Sequence, residues 1–216
     1  MIFPELFDGK IMGFFTDREV GLDVSSLTGR KVYFPKQEHT DTVIDVDDDL
    51  TVRTADAVVT SRHDIMLGVK TADCVPILMY DPIKGVIAAV HAGWRGTSKG
   101  IIKKTIKYMA KKYKCKPDDL LVALGPAIRW SCYTVGEDVL SAVKKATGEG
   151  DYFIDKDGVI AVDLQSANMF QAISEGVLQY HISISEECTY CYPERYFSYR
   201  YDKKNPGRQG GFIGMP

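Results

Sequence analysis

Residues 75–91 read VPILMYDPIKGVIAAVH, two apolar, β-rich runs on either side of a polar segment that contains a proline and a glycine. This arrangement predicts a β-hairpin with strands at Val75–Tyr80 and Val86–His91. A turn centred near residue 83 makes the numbers of paired residues sum to 165 or 166, so Cys74 is expected to face His91 or Ala92. Opposed Cβ atoms lie about 4.5–5.5 Å apart. The hairpin therefore predicts a thiol and an imidazole within reach of a common atom.

Outside the hairpin, the chain alternates irregularly between strand and helix patterns. An apolar stripe predicts a helix over about Ser98–Tyr113, a second helix follows Gly136 and stops at Gly148, and Asp163 caps a third that runs to about Leu178. Irregular alternation favours an α+β fold with a mixed sheet over a doubly wound α/β fold, as a single domain over residues 1–216. Further strands are predicted at Ile11–Phe15, Lys31–Phe34, Ala57–Thr60, Ile65–Val69, Leu120–Leu124, Val159–Val162, Ile182–Ile184, Tyr196–Tyr199 and Phe212–Ile213.

Composition excludes several classes of protein. The chain has 216 residues, 45% of them hydrophobic and 26% charged, with a formal net charge of −2. These fractions argue against a disordered chain, and the near-neutral charge argues against nucleic acid as a partner.

No apolar run approaches the roughly 20 residues that span a bilayer, and the N-terminus MIFPELFDGK lacks the pattern of a secretory signal. We therefore expect a cytoplasmic protein with no membrane partner, either a monomer or a homodimer. Its five cysteines, an odd number, do not form a disulfide framework.

The predicted pairing of Cys74 with His91 leaves two chemical interpretations open. The pair is a Cys–His nucleophile and base, or both residues ligate one metal ion. His91 leads into Ala92-Gly93-Trp94-Arg95-Gly96, a glycine-rich loop that exposes backbone N–H groups and adds the guanidinium of Arg95. A third metal ligand has to come from the other three histidines, His39, His63 and His181, and the residues alone rank His39 only slightly above His63.

Several of these segments resemble the hallmarks of the YfiH/YlmD-like family, long labelled multicopper polyphenol oxidoreductase or laccase-domain proteins. The resemblance covers residue 36 to the C-terminus and is carried by Thr71–Pro76 (TADCVP), Val90–Gly96 (VHAGWRG), Leu124–Ile128 (LGPAI), Cys132-Tyr133 and Phe197–Asp202 (FSYRYD) with Gly207-Arg208. It implies the fold of that family, which is similar to that of toxin-type cysteine hydrolases. It also implies a zinc site formed by His39, Cys74 and His91, although Gln37-Glu38-His39-Thr40 departs from the family's Gln-Val-His-Gly.

The same resemblance implies purine nucleoside chemistry. Family members phosphorolyse adenosine, inosine, guanosine and methylthioadenosine and deaminate adenosine, so the expected ligands are a purine nucleoside and phosphate. In this interpretation Asp73 carries a proton or holds the ligand shell, and Arg18 corresponds to a catalytic or anion-binding arginine of a longer N-terminal loop in the family. The arginines expected to bind phosphate are Arg95, Arg200 and Arg208.

Three alternatives remain at this stage. The first is a cysteine-type amide hydrolase acting on peptidoglycan precursors, with Cys74 as nucleophile. The second is polyphenol oxidation by a laccase, but four histidines are too few for a multicopper site, so zinc is preferred over copper. The third is a binding protein with a vestigial site. Cys188 and Cys191 form a lone C-x-x-C, which is weak evidence for a metal, so packing or a place in the substrate-binding wall is the expected role.

Overall fold

The computed structural model describes residues 1–7, 9, 11–204 and 207–216. Strands and helices are mixed along the chain, which confirms the predicted α+β class. The strands are β1 Met12–Phe15, β2 Lys31–Tyr33, β3 Val43–Asp45, β4 Ala57–Thr60, β5 Ile65–Thr71, β6 Val75–Asp81, β7 Val86–Ala92, β8 Leu121–Leu124, β9 Thr134–Val135, β10 Phe153–Lys156, β11 Val159–Val162, β12 Ile182–Ile184 and β13 Gln209–Gly214. The α-helices are α1 Ser25–Thr28, α2 Trp94–Ser98, α3 Ile101–Tyr113, α4 Glu137–Thr147 and α5 Leu164–Ser174.

A six-stranded mixed sheet forms the centre, with the order β12-β8-β6-β7-β4-β3. Its central strands are apolar on both faces because each face is covered. Ile77 and Met79 pack into one core with α3, α4 and α5, whereas Leu78 and Ile87 pack into a second core against a four-stranded sheet. That sheet has the order β1-β13-β5-β2, and a small sheet of β10, β11 and β9 lies beside the helices. The result is a helix layer, a sheet and a second sheet, with residues of alternating parity facing opposite cores.

The predicted hairpin is present, but its register differs from the prediction by one residue. Pro76 pairs with His91 and Val75 with Ala92, so the paired numbers sum to 167 rather than 165 or 166. The carboxylate of Asp81 accepts hydrogen bonds from the backbone amides of Ile83 and Lys84, which holds a four-residue loop. This loop shifts the pairing, so Cys74 lies one residue beyond the last pair instead of directly opposite His91.

Three other predictions need correction. The first helix is interrupted at Gly100, which has φ +70°, and therefore divides into α2 and α3. Helix α5 does begin after Asp163, whose side chain accepts a hydrogen bond from the amide of Ser166, but it ends at Ser174 because Gly176 adopts φ +97°. Residues Tyr196–Tyr199 form a bend, irregular chain and the start of a turn rather than a strand, because both backbone groups of Phe197 bond the side-chain amide of Gln209. Strands β3, β9 and β10 were not predicted.

None of the described helices combines the length and the apolarity that crossing a membrane requires.

Candidate functional site

His39, Cys74 and His91 meet at one end of the central sheet. His91 lies on β7, Cys74 immediately precedes β6, and His39 lies in the loop between β2 and β3. One possible ligand atom from each residue lies within 4.8 Å of those of the other two. The sulfur of Cys74 is 4.0 Å from Nε2 of His39, and the two imidazole ring centres are 4.9 Å apart. His91 is buried, Cys74 is half-buried and His39 is exposed, so the group opens to solvent on the His39 side.

Asp56 positions two of these three residues, although no sequence pattern predicted its role. Its carboxylate Oδ1 lies 2.7 Å from Nδ1 of His91 and also accepts the backbone amide of His39. Its Oδ2 accepts the amides of Glu38 and Thr40 and the hydroxyl of Thr40. A carboxylate on Nδ1 of a histidine leaves Nε2 as the ligand atom and fixes the orientation of the ring. Asp56 therefore orients His91 directly and His39 through its backbone.

The backbone is strained at two positions beside the group. His39 has φ +57° and Asp73 has φ +86°, the left-handed region that costs residues other than glycine roughly 1–3 kcal/mol. Each conformation is held by hydrogen bonds. The amide of His39 donates to Asp56, and the two carboxylate oxygens of Asp73 accept hydrogen bonds from Thr189 and Arg200. Strain maintained in this way is typical of functional sites.

The charges of the group stabilise one another. Burial raises the pKa of Cys74, but the positive charge of His91 and the hydrogen bonds with both histidines outweigh burial and lower it to about 6. Burial lowers the pKa of His91, but the Cys74 thiolate and Asp56 outweigh burial and raise it. Burial likewise raises the pKa of Asp56, and the hydrogen bonds from His91 and Thr40 lower it to about 2. Cys74 is thus readily deprotonated, as a metal ligand or a nucleophile must be.

The donor set fits a single metal ion. Two imidazole nitrogens and one thiolate are typical ligands of zinc, and three protein ligands leave a fourth position for water or substrate. Space for this arrangement depends on Gly93, because a Cβ at this residue would lie 2.8 Å from the Cys74 sulfur and 3.2 Å from Cδ2 of His39. The glycine in the loop after β7 is therefore required for the close approach of the two ligands.

A cavity of about 740 Å³ opens over the group and contains three of the four predicted arginines. Arg95 lies over the ring of Trp94 at 4.5 Å, and Arg200 lies 5.1 Å from the ring centre of Tyr133. Stacking on an aromatic ring holds a guanidinium in place while its edge stays available for an anion. The cavity is lined by Pro35, Lys36, Gln37, His39, Lys70, Thr71, Ala72, Asp73, Cys74, His91, Trp94, Arg95, Ile128, Tyr133, Leu164, Tyr199, Arg200 and Arg208.

Arg18 lies away from the other predicted site residues. Its guanidinium is 4.4 Å from the ring centre of Phe197 and donates a hydrogen bond to the carbonyl of Tyr196, while its amide donates to the carbonyl of Arg195. Arg18 thus supports the segment that leads to Tyr199 and Arg200 rather than facing the metal-ligand group.

Asp73 organises the wall of the cavity. Its Oδ1 accepts a hydrogen bond of 2.7 Å from the hydroxyl of Thr189, and its Oδ2 accepts one of the same length from the backbone amide of Arg200. The segments of Thr189 and Arg200, both distant from Asp73 in sequence, are thereby held beside Cys74. This geometry suits a positioning role for Asp73.

Aromatic residues form part of the same wall. Tyr133 is half-buried and Tyr199 is exposed, and both line the cavity with Trp94. Burial and the negative charge of Cys74 raise the pKa of Tyr133 to about 12, so its hydroxyl keeps its proton near neutral pH. Such faces suit a flat heteroaromatic ring.

Known proteins resemble this chain in sequence and in fold. A family model described as multi-copper polyphenol oxidoreductase laccase matches residues 17–216. A purine nucleoside phosphorylase of Clostridium acetobutylicum is 37% identical, over 98% of this chain and 94% of the relative. An adenosine deaminase, RL5, from an unknown prokaryotic organism is 32% identical, over 88% of this chain and 75% of the relative. The crystal structure of YlmD from Geobacillus stearothermophilus superposes with a TM-score of 0.89 at 27% identity, covering 97% of this chain and 93% of that chain.

Proposed function

Because the chain belongs to the multi-copper polyphenol oxidoreductase laccase family, whose relatives include proteins named purine nucleoside phosphorylase and adenosine deaminase, we propose that it is a zinc-dependent purine nucleoside phosphorylase. We include methylthioadenosine among its substrates and adenosine deamination among its activities. The observation that carries the proposal is the meeting of a His–Cys–His donor set with Arg95, Arg200 and Arg208 in one cavity. Arginines can bind phosphate and a metal ion can polarise the substrate, so the two features together suit a reaction between phosphate and a nucleoside.

The arginines supply the phosphate site. Guanidinium groups bind phosphate through paired, charge-assisted hydrogen bonds, each roughly twice as strong as a neutral one. Arg200 is held by its carbonyl partner Thr134 and by the ring of Tyr133, and Arg95 by the ring of Trp94. These contacts fix the cations before phosphate arrives, which reduces the entropy lost on binding.

The aromatic wall supplies the purine site. The cavity that contains the three arginines also presents the rings of Tyr133 and Tyr199, on which a purine can stack. In phosphorolysis a phosphate oxygen bonds to the anomeric carbon while the glycosidic bond breaks, and the leaving purine takes the electron pair and a proton. In deamination water replaces the amino group of adenosine, which leaves as ammonia. A zinc ion held by His39, Cys74 and His91 would supply Lewis acidity to both reactions and would activate the water consumed in deamination.

A cysteine-type amide hydrolase is the second candidate, and the charge state of the site favours it. The lowered pKa of Cys74 and the raised pKa of His91 describe a thiolate–imidazolium pair, the form of an activated cysteine nucleophile. Peptidoglycan precursors are the substrates that we assign to this alternative. A metal-bound thiolate is a poor nucleophile, so tightly bound metal counts against it. Polyphenol oxidation is the weakest candidate, because four histidines cannot supply a multicopper centre.

The proposal is tested by incubating the zinc-loaded protein with adenosine, inosine, guanosine or methylthioadenosine, with and without phosphate, and separating the products by chromatography. We expect free base only when phosphate is present, together with inosine formed from adenosine whether or not phosphate is added. His91→Ala removes a buried metal ligand and abolishes both activities, whereas His63→Ala, outside the cavity, is the matched control. Absence of free base from every nucleoside in the presence of zinc and phosphate contradicts the proposal.

A further inference from the structure

We infer that Cys132, Cys188 and Cys191 form a second metal site, which binds a thiophilic ion such as zinc through three thiolates. The three sulfur atoms lie within 4.8 Å of one another, and those of Cys132 and Cys191 are 3.2 Å apart. Sulfur atoms in a tetrahedral zinc site, with Zn–S of about 2.3 Å, are about 3.8 Å apart. Small side-chain rotations are therefore enough to place all three sulfurs around one ion.

The three cysteines come from two segments that the backbone already holds together. Cys132 ends a 3-10 turn, Trp130–Cys132, and Cys188 lies in the segment after β12. A β-bridge joins Ala127 to Cys188, and the amide of Thr189 donates to the carbonyl of Ala127. Because these contacts align the two segments, the site needs little ordering when an ion binds.

A backbone amide hydrogen-bonds one of the sulfurs, as expected for a metal thiolate. The amide of Arg129 donates to the sulfur of Cys188 at 3.5 Å. Amide hydrogen bonds to sulfur offset the negative charge of a thiolate and orient its lone pairs toward the metal. A cysteine that merely packs in an apolar core does not need this donor.

The exposure of the three residues gives an ion a path to the site. Cys188 is buried, Cys132 is half-buried and Cys191 is exposed. An ion can enter from the Cys191 side, where water completes the coordination, and the protons of the three thiols pass to solvent. A disulfide between Cys132 and Cys191 is the competing state. It would not involve Cys188, so it does not account for the hydrogen bond from the Arg129 amide to the Cys188 sulfur.

The second site lies directly behind the wall of the cavity. Tyr133, which lines the cavity, follows Cys132, and Thr189, which donates to Asp73, follows Cys188. An ion that ties Cys132 to Cys188 and Cys191 therefore holds both neighbours in place. We assign the second ion a positioning role, because its ligands do not line the cavity.

Zinc counting on single-site variants tests the inference. Each protein is saturated with zinc under reducing conditions, passed through a desalting column and measured by elemental analysis. We expect two zinc ions per chain in the unchanged protein, one in Cys191→Ser and one in Cys132→Ser. Cys115→Ala, a buried cysteine outside the cluster, retains two and is the matched control. Folding is checked by circular dichroism, and Cys191→Ser is the safest variant because its side chain is exposed.

The His39→Ala/His91→Ala double variant separates this inference from the proposed function. It removes two ligands of the first site, so any remaining zinc belongs to the cysteines. Cobalt added to the double variant is expected to give a thiolate-to-cobalt charge-transfer band that disappears when Cys191→Ser is added. Equal zinc content in the unchanged protein and Cys191→Ser, or a Cys132–Cys191 disulfide in protein purified under reducing conditions, would overturn the inference.

Discussion

The Asp56 carboxylate lies 2.7 Å from Nδ1 of His91, and the same group accepts the backbone amide of His39. One buried side chain thus sets the orientation of two candidate metal ligands that are 52 residues apart in sequence. A carboxylate hydrogen-bonded to a histidine in this way fixes the ring and raises its basicity as a ligand. It explains why His39 can hold its left-handed backbone conformation on an exposed loop.

Asp56→Asn is expected to weaken zinc binding by about 10–100-fold, the usual effect of losing such a partner. Hydrogen-bond donors converge on both carboxylate oxygens, so an amide NH₂ in place of either oxygen faces a donor. The affinity is measured by competition with a chromophoric chelator. Asp64→Asn, at an exposed ion pair with Arg62, is the control and leaves affinity unchanged. Equal zinc affinity of the two variants would contradict the role of Asp56 in orienting the histidines.

Acid is expected to destabilise the metal-free protein through Asp56. Its folded pKa is about 2 against an ordinary value of 3.8, so between these values the unfolded chain binds more protons. The contribution to the free energy of unfolding, about 2 kcal/mol, is complete above pH 4 and is lost as pH falls through about 2. Urea unfolding of the metal-free protein and Asp56→Asn from pH 5 to pH 2 measures it. The stability difference between them should shrink toward acid, and a constant difference contradicts the assignment.

Gly93→Ala is expected to lower zinc affinity by about tenfold or more while leaving the fold intact. The new Cβ would lie 2.8 Å from the Cys74 sulfur, so the thiolate must move from its place beside the imidazoles. Gly96→Ala is the matched control, because its Cβ meets neighbours at 3.4 Å, an ordinary contact distance. Zinc titration and thermal unfolding are measured on both. Tight binding by Gly93→Ala would show that close approach of the ligands is unnecessary.

Arg95→Met and Arg208→Met are each expected to raise the KM for phosphate by roughly 10–100-fold. The estimate follows from the loss of charge-assisted hydrogen bonds worth about 1.5–3 kcal/mol, with tenfold for every 1.4 kcal/mol. The deaminase activity, which uses no phosphate, should change much less. Initial rates over a range of phosphate concentrations provide the measurement, with Arg62→Met as a surface control. If the KM for phosphate is unchanged in both Arg95→Met and Arg208→Met, phosphate does not bind at these arginines.

The sequence was informative where the chemistry follows from local patterns. Apolar runs predicted the hairpin of β6 and β7, and the motif around Cys74 and His91 predicted two residues that the fold brings together with His39. The register was wrong by one because a side chain, Asp81, organises the turn, and strand patterns do not record that contact. Even so, the thiol and the imidazole meet, since a side chain just beyond the last pair still reaches its diagonal neighbour.

Residues that act through distant contacts could not be found from the sequence. Asp56 carries no spacing signal, because its partners lie in another loop and another strand. The cluster of Cys132 with Cys188 and Cys191 joins segments separated by more than 50 residues, and only the fold brings them together. Tyr196–Tyr199 has the composition of a strand, but its backbone bonds a glutamine side chain instead of a neighbouring strand.

Phosphorus NMR during turnover of inosine by the zinc-loaded protein distinguishes phosphorolysis from hydrolysis of the nucleoside. We expect inorganic phosphate to be converted to ribose 1-phosphate in amounts equal to the hypoxanthine released, and His91→Ala to produce neither. Release of hypoxanthine with free ribose and unchanged phosphate, or no reaction of inosine in protein with zinc bound at His39, Cys74 and His91, would contradict the proposed phosphorolysis.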